Sequence, residues 1–289
     1  MKAIIFGING QDGYYLNQLL QQQCCEVIGV SRSGNYLRTN IALYDEVSDL
    51  IKTYTPDYIF HFAANSTTQH AALFENHSAI ATGTLNILEA VRNCSPFSKV
   101  FISGSALQFK NDGTPVKETN PFEARDAYSI SRIQSVYAAR YFHSLGVQAY
   151  VGYFFNHDSP LRTERHITKK ITETVKRIQQ GSSEKLKIGD ASVIKEWSFA
   201  GDIVKAVWTL VNQNEIWEAN IGSGLGYSIE EWIEVCFSII HKNWKNHVLQ
   251  KPDFIADYHS LVSDPSLIYS LGWKPEISFE DLARMMIST

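Results

Sequence analysis

The sequence lacks the features that mark membrane, secreted and nucleic-acid-binding proteins. None of its 289 residues falls in an apolar run of about 18, the length that a membrane-spanning helix needs. Residues 1–6 read as a strand, without the basic start and longer apolar segment of a secretory signal. The 26 basic and 30 acidic residues give a net charge of −4, which argues against a general nucleic-acid binder. We therefore expect a cytoplasmic protein with neither a membrane nor a nucleic-acid partner.

Cysteine is scarce, and its spacing predicts no metal centre. The four cysteines are Cys24, Cys25, Cys94 and Cys236. One adjacent pair and two distant thiols do not have the spacing of a metal site, and we expect reduced thiols in the cytoplasm. The remaining composition, 44% hydrophobic and 19% charged, is that of a globular chain with one large core or two modest domains.

Short apolar runs alternate with helical stretches through the first half of the chain. Strands are predicted at residues 2–6, 26–31, 58–63, 99–103 and 147–155, and helices at 14–23, 47–55, 82–93 and 127–145. This alternation predicts an α/β fold of the Rossmann type, with a doubly wound parallel sheet covered by helices on both faces. Further helices are predicted at 167–180, within 197–212 and at 228–241. We expect these later segments to form a smaller lobe, interleaved with strands that return to the sheet.

A glycine-rich loop follows the first predicted strand and precedes a helix. Gly7, Gly10 and Gly13 have the spacing at which the first glycine permits a tight turn, the second lets backbone approach a pyrophosphate, and the third lets helix pack on strand. Gln11 and Asp12 lie in the same loop, and the N-terminus of the helix that follows it offers free N–H groups that can bind phosphates. The placement predicts a dinucleotide site, and an ordinary glycine-rich turn is the alternative.

The second predicted strand ends without an acidic residue. An acid at this point would bind the adenosine ribose hydroxyls of NAD. Arg32 stands here instead, between Ser31 and Ser33, and an arginine can bind a 2′-phosphate. The pattern favours NADP(H) over NAD(H), and a solvated surface arginine is the alternative interpretation.

Several motifs resemble the extended short-chain dehydrogenases, and they narrow to the GDP-mannose 4,6-dehydratase family. The broader resemblance lies in the loop at residues 7–13, in the segment 61–64 (His-Phe-Ala-Ala) and in Tyr128 with a basic residue four positions on. The most specific match is the stretch Phe-Phe-Asn-His-Asp-Ser-Pro-Leu-Arg at 154–162. Further matches are residues 167–171, Glu196, Trp197, Asp202 and residues 271–275. The resemblance covers nearly the whole chain.

The resemblance implies a Rossmann domain for NADP(H) over residues 1–155 and mainly a nucleotide-sugar lobe over residues 156–289. By position, the cofactor would be bound by Gly7, Gly10, Gln11, Asp12, Gly13, Arg32, Ala63, Ala64, Tyr128, Arg132, His157 and Arg162. The sugar nucleotide, GDP-linked in this family, would be bound by Ser66, Asn156, Lys170 and Lys195. The family also implies a homodimer that pairs through long helices. A structural role for His157, a turn cap at Asn156 and solvated charges at Arg162 and Lys195 remain alternatives.

The catalytic set differs from that of the family. The family uses a serine or threonine hydroxyl, a tyrosine, and a lysine one helical turn later. Here Tyr128 is followed by Arg132, and a separation of four residues puts both on one face of a helix. Gly104 takes the place of the threonine, and Ala106 takes the place of the glutamate that acts as acid and base. The hydroxyls of Ser103 and Ser105 are the nearest substitutes, and Tyr128 as a packed aromatic is the alternative interpretation.

These changes favour a reductase over a dehydratase. Dehydration needs an elimination step with an acid and a base beyond the tyrosine, whereas reduction of a 4-keto sugar needs a hydride, one proton donor and an orienting charge. An epimerase and a 4,6-dehydratase remain alternative reactions. A homologue that binds the cofactor without catalysis is the rival from another class of function.

Overall fold

The computed structural model describes residues 1–251 and 254–288. In chain order the strands are β1 (Lys2–Phe6), β2 (Glu26–Val30), β3 (Tyr58–His61), β4 (Lys99–Ser105), β5 (Gln148–Phe154), β6 (His157–Asp158), β7 (Leu186–Ile188), β8 (Ile194–Glu196), β9 (Ser198–Phe199), β10 (Glu218–Ile221), β11 (Gly226–Ser228), β12 (Val248–Gln250) and β13 (Ser260–Leu261). The helices are α1 (Gln11–Gln22), α2 (Tyr44–Tyr54), α3 (Leu73–Asn76), α4 (Gly83–Cys94), α5 (Ala127–Ser144), α6 (Ile167–Gln179), α7 (Ala200–Val211), α8 (Ile229–Ile239), α9 (Ser266–Ser270) and α10 (Phe279–Ser288).

Six parallel strands form the central sheet in the order β10-β5-β4-β3-β1-β2. The strands are almost continuously apolar because both faces are covered. Helices α2, α4 and α5 pack on one face, and α1, α7 and α9 pack on the other. The predicted Rossmann-type α/β fold is confirmed. In such a sheet, ligands bind outside the carboxyl ends of the strands.

A separate apolar core holds the second lobe together. It is built from α6, α8 and α10 with β7 and the two residues that flank β8, Val193 and Trp197. Trp197 stacks on Trp232 with ring centroids 4.8 Å apart. Helix α7 packs on the central sheet, and strand β10 is its edge strand, although both follow residue 155. The boundary at residue 155 stays a prediction, because the chain crosses between the two cores more than once.

The predicted element boundaries differ from the observed ones at several points. Helix α1 begins at Gln11 and α2 at Tyr44, each three residues earlier than predicted, while β4 extends through Ser105. Helix α3 was not predicted, and a π-helical turn at His77–Thr82 joins it to α4.

Residues 1–251 and 254–288 contain neither a membrane-spanning helix nor a metal-binding cluster. No helix in these ranges is both long and apolar enough to cross a membrane. No cluster of three or more histidine, cysteine, aspartate or glutamate side chains in the same ranges is arranged to hold a metal ion.

Candidate active site

A cleft of about 920 Å³ opens where β1, β2 and β3 end. Its wall brings together five residues that the sequence assigned to the cofactor, although they come from three separate stretches of chain: Gly7, Gly10, Arg32, Ala63 and Ala64. The cleft therefore lies where the fold predicts a dinucleotide.

The phosphate loop is shaped by backbone that approaches too closely for side chains. Gly7 has a φ of 90°, and a Cβ there would come within 2.7 Å of the Ala63 nitrogen. A Cβ on Gly13 would come within 2.5 Å of the Ile8 Cα. The first hydrogen bond of α1 runs from the Tyr14 N–H to the Gly10 carbonyl at 2.9 Å. The N–H groups that precede Tyr14 in α1 have no intrahelical acceptor and can bind phosphate oxygens.

Two arginines and one glutamate lie at the end of β2. Arg32 Nη1 is 2.8 Å from Glu75 Oε1, and the Arg32 side chain is 78% exposed. Arg38 donates to the carbonyl oxygens of Arg32 and Gly34, which fixes the loop around Arg32. Both Arg38 and Glu75 line the cleft. Arg38 lies only six residues after Arg32, so the sequence could have indicated a second positive charge at this site, but that prediction was not made. The contact between Arg32 and Glu75 spans 43 residues, and no local sequence pattern indicates it.

Asp12 and His157 form an ion pair between α1 and β6. His157 Nε2 is 2.9 Å from Asp12 Oδ1, and His157 Nδ1 is 2.8 Å from the Phe155 carbonyl oxygen. Burial favours the neutral form of each group, but the opposite charge and the hydrogen bond outweigh it. The pKa of Asp12 is lowered and that of His157 is raised. His157 therefore contacts the phosphate-loop helix through Asp12.

A second contact joins the same two segments, and Arg162 braces one of them from within. Ser159 donates from its hydroxyl to Gln11 Oε1 at 2.7 Å. Arg162 donates to Asp158 Oδ1 at 3.1 Å and to the His157 carbonyl oxygen at 2.9 Å. Gln11, Asp12, His157 and Arg162, all assigned to the cofactor from sequence, thus lie in one hydrogen-bonded group.

The side chain of Asp126 fixes the start of the helix that carries Tyr128. It accepts hydrogen bonds from the N–H groups of Tyr128 and Ser129, both at 2.8 Å, and so caps α5. Arg132 lies one turn further on, with its guanidinium carbon 5.0 Å from the centroid of the Tyr128 ring. The predicted shared face of the helix is therefore present.

Arg132 is buried, and its guanidinium is anchored to the end of β4. Nη1 donates to the Ser103 carbonyl oxygen and to Ser103 Oγ, the second contact at 2.8 Å. Ser103 donates its own hydroxyl to the His61 carbonyl at 2.8 Å. Burial and the nearby charge of Arg132 lower the pKa of His61 to about 3, so that imidazole is neutral. Ser103 thus has a structural role here, as an anchor for Arg132.

Ser105 caps the short 3₁₀ turn Ala106–Gln108. Its Oγ accepts from the Leu107 N–H at 3.3 Å, and its N–H donates to Gln108 Oε1 at 2.9 Å. Of the two serines proposed from sequence, Ser105 is the one without an arginine on its hydroxyl. Ala106 is 3% exposed and offers no acid or base.

The four residues assigned to the substrate occupy different surroundings. Asn156 donates to the Glu196 carbonyl oxygen at 2.7 Å and to Asp158 Oδ2 at 3.2 Å. Burial lowers the pKa of Lys195, and the charge of Asp158 opposes that effect. Asn156 and Lys195 therefore share Asp158 as a neighbour. The other two are engaged elsewhere: Lys170 donates to the Lys187 carbonyl oxygen at 2.6 Å, and Ser66 is exposed in the loop after β3.

Known proteins resemble this chain over nearly its whole length. The family described as GDP-mannose 4,6 dehydratase matches residues 4–286. GDP-mannose 4,6 dehydratase 2 of Arabidopsis thaliana is 33% identical over 318 aligned positions, which cover 99% of this chain and 85% of the relative.

Two solved structures share the fold. The structure of RMD from Pseudomonas aeruginosa complexed with NADPH matches with a TM-score of 0.87 at 21% identity, over 99% of this chain and 97% of that one. UDP-glucose 4-epimerase of Thermus thermophilus, in complex with NAD, matches with a TM-score of 0.84 at 19% identity, over 100% and 98%.

These matches confirm both the family recognised in the sequence and the expectation that its members are enzymes. The match at residues 4–286 spans the phosphate loop, the helix that carries Tyr128 and the second lobe. The chain belongs to the GDP-mannose 4,6-dehydratase family.

Proposed function

We propose that this protein reduces a 4-keto sugar linked to a nucleotide, with NADP(H) as its cofactor. The proposal rests on the catalytic groups that the chain keeps and on those that it lacks. Tyr128 and Arg132 stay together on one face of α5, whereas Gly104 and Ala106 carry no group that can transfer a proton. Reduction needs one proton donor, and elimination needs a further acid and base. The family name supports GDP as the nucleotide.

Each residue has a definite task in this reaction. The Tyr128 hydroxyl donates the proton that the carbonyl oxygen of the sugar acquires. The Arg132 charge, 5.0 Å from the ring centroid, stabilises the negative charge that this transfer leaves on the tyrosine, and burial strengthens the interaction. Ser105 can donate its hydroxyl to the same sugar oxygen. The bound cofactor supplies the hydride.

The cofactor preference rests on the end of β2. Arg32 and Arg38 place two positive charges in the cleft, and Ser33 accepts a hydrogen bond from the Asn9 amide at 2.7 Å beside them. Arginine binds phosphate through paired, charge-assisted hydrogen bonds. This group supports NADP(H) rather than NAD(H).

The experiment compares Tyr128→Phe with Tyr137→Phe on NADPH oxidation by a GDP-linked 4-keto sugar. Tyr137 is on the same helix and 58% exposed, and phenylalanine keeps its apolar ring, so Tyr137→Phe serves as a matched control. Tyr128→Phe should reduce turnover by about 10²–10⁴-fold and leave NADPH affinity nearly unchanged, because only the proton-bearing oxygen is lost. Tyr137→Phe should change neither. Full activity of Tyr128→Phe would contradict the assignment of the proton donor.

The anchoring of Arg132 favours a second candidate, a cofactor-binding protein without catalysis. Its guanidinium donates to Ser103, which reduces its freedom to contact a ribose. Arg132→Lys separates the two functions. A reductase should keep or gain activity with the family's lysine. If the parent and Arg132→Lys both fail to oxidise NADPH while NADPH still raises their melting temperature, the binding function is the correct one.

We also propose that the protein works as a cytoplasmic homodimer. The outer faces of α4 and α5 expose the apolar side chains Leu85, Ile130, Tyr137 and Tyr141. On α5 the last three recur at a spacing of seven and four residues, which forms one stripe along the helix. Exposed apolar stripes of this kind mark protein interfaces.

A further inference from the structure

We propose that Glu75 sets the balance between NADP(H) and NAD(H), because it competes with the 2′-phosphate for Arg32. The inference rests on the proposed cofactor site and adds to it a residue that disfavours one of the two cofactors. Glu75 belongs to α3, whereas Arg32 follows β2, so the two side chains meet across the cleft from different elements.

The carboxylate of Glu75 is held in place by two donors. Oε1 accepts from Arg32 Nη1 at 2.8 Å, and Oε2 accepts from Asn65 Nδ2 at 2.8 Å. Asn65 lies in the loop after β3, so the pair is tied to a third element beside the cleft. With one oxygen on Asn65, the other is directed at Arg32. This arrangement places a negative charge at the position where the sequence showed no acid.

NADP(H) and NAD(H) differ only at the 2′-position of the adenosine ribose, which the proposed cofactor site puts at Arg32. Glu75 occupies Arg32 Nη1, so a 2′-phosphate that binds this guanidinium either displaces the carboxylate or binds the remaining N–H groups beside it. In both cases two negatively charged groups lie close together, which disfavours the phosphate. A 2′-hydroxyl instead can donate a hydrogen bond to the carboxylate, as acidic residues do in NAD sites. Glu75 therefore weakens NADP(H) binding and supports NAD(H) binding, while Arg32 does the reverse.

The test is the change in affinity ratio when Glu75 becomes glutamine. Calorimetric titration gives the Kd for NADPH and NADH in the parent, Glu75→Gln and Glu46→Gln. Glu46 is the matched control, because its carboxylate lines the same cleft but accepts from the Asn40 N–H at 2.7 Å instead of from Arg32. Glu75→Gln should raise the preference for NADPH over NADH by about fivefold, the effect that an exposed ion pair can have. Glu46→Gln should leave the ratio unchanged.

Arg32→Ala, alone and combined with Glu75→Gln, shows whether the effect passes through Arg32. Without the arginine, Glu75→Gln should change the ratio by less than it does in the parent. An unchanged ratio in Glu75→Gln, or an equal change in Glu46→Gln, overturns the proposal. The proposed NADP(H) preference fails on a different readout, namely tighter NADH binding by the parent, so the two failures are distinguishable.

Discussion

At position 104 the backbone lies so close to Tyr153 that glycine is the residue that fits. A Cβ there would come within 2.7 Å of Tyr153 Cδ1 and 3.2 Å of Gln108 Oε1. The ring cannot easily move away, because the Tyr153 hydroxyl donates to Glu218 at 2.6 Å and accepts from Arg140 at 3.3 Å. A large aromatic residue on β5 thus excludes a side chain at this position.

We expect Gly104→Ala to lower the free energy of unfolding by about 1–3 kcal/mol, the usual cost of an added methyl in a full core. The cost should persist in a Tyr153→Phe background, which keeps the ring, and should fall by half or more in Tyr153→Leu, which removes it. Urea unfolding of the single and double variants measures these differences. Equal costs in the Phe and Leu backgrounds would show that the ring is not what excludes a side chain.

At the level of secondary structure, the contact between α1 and β6 joins the phosphate loop to residues 154–162, the stretch that most specifically matches the family. Asp12 lies in the first turn of α1, where a negative charge is favoured by the helix dipole, and His157 contacts it from β6. Gln11 and Ser159 repeat the link beside it. A shift of α1 would therefore act directly on the segment that leads into the second lobe.

The pH dependence of stability tests this link. The pKa of His157 is raised above its ordinary value of 6.5, so its contribution is complete below about pH 6.5 and is lost as the pH rises through the folded-state pKa. His157→Gln should therefore cost most stability near pH 6 and progressively less at higher pH. Urea unfolding between about pH 6 and 9 measures the difference.

The same substitution at exposed His70, away from this contact, provides the control. If His157→Gln has the same cost at every pH, the charge of His157 does not contribute to the link.

Elements with long apolar patterns were predictable from the sequence, and short ones were not. The strands of the central sheet and helices α1, α5 and α6 have the apolar runs or spacing that fix their type. Strands of two to four residues in the second lobe, such as β6 and β9, exist because distant segments pair with them. The same limit applies to the site: Gly7 and Tyr128 carry local motifs, whereas the contact of Glu75 with Arg32 depends on the assembled fold.

For the whole molecule, the exposed stripe on α5 predicts self-association. We expect Tyr137→Glu to shift the protein from dimer to monomer, because a charge in an apolar interface is costly to bury. Sedimentation velocity at micromolar concentration measures the state. Leu225→Glu is the control, since Leu225 is 57% exposed, much like Tyr137, but lies in the second lobe. A monomeric parent, or a dimer that survives Tyr137→Glu, would contradict the assignment of the interface.

The edge strand β10 has a consequence for how the chain acquires its fold during synthesis. It pairs with β5 so that Glu218 lies opposite Val151. Arg140 of α5 donates hydrogen bonds to both carboxylate oxygens of Glu218, at 2.7 and 2.8 Å. The sheet is therefore incomplete until residue 221 has left the ribosome, although five of its six strands precede residue 155. During that interval the β5 edge carries unpaired backbone groups, which makes the nascent chain prone to pairing with other strands.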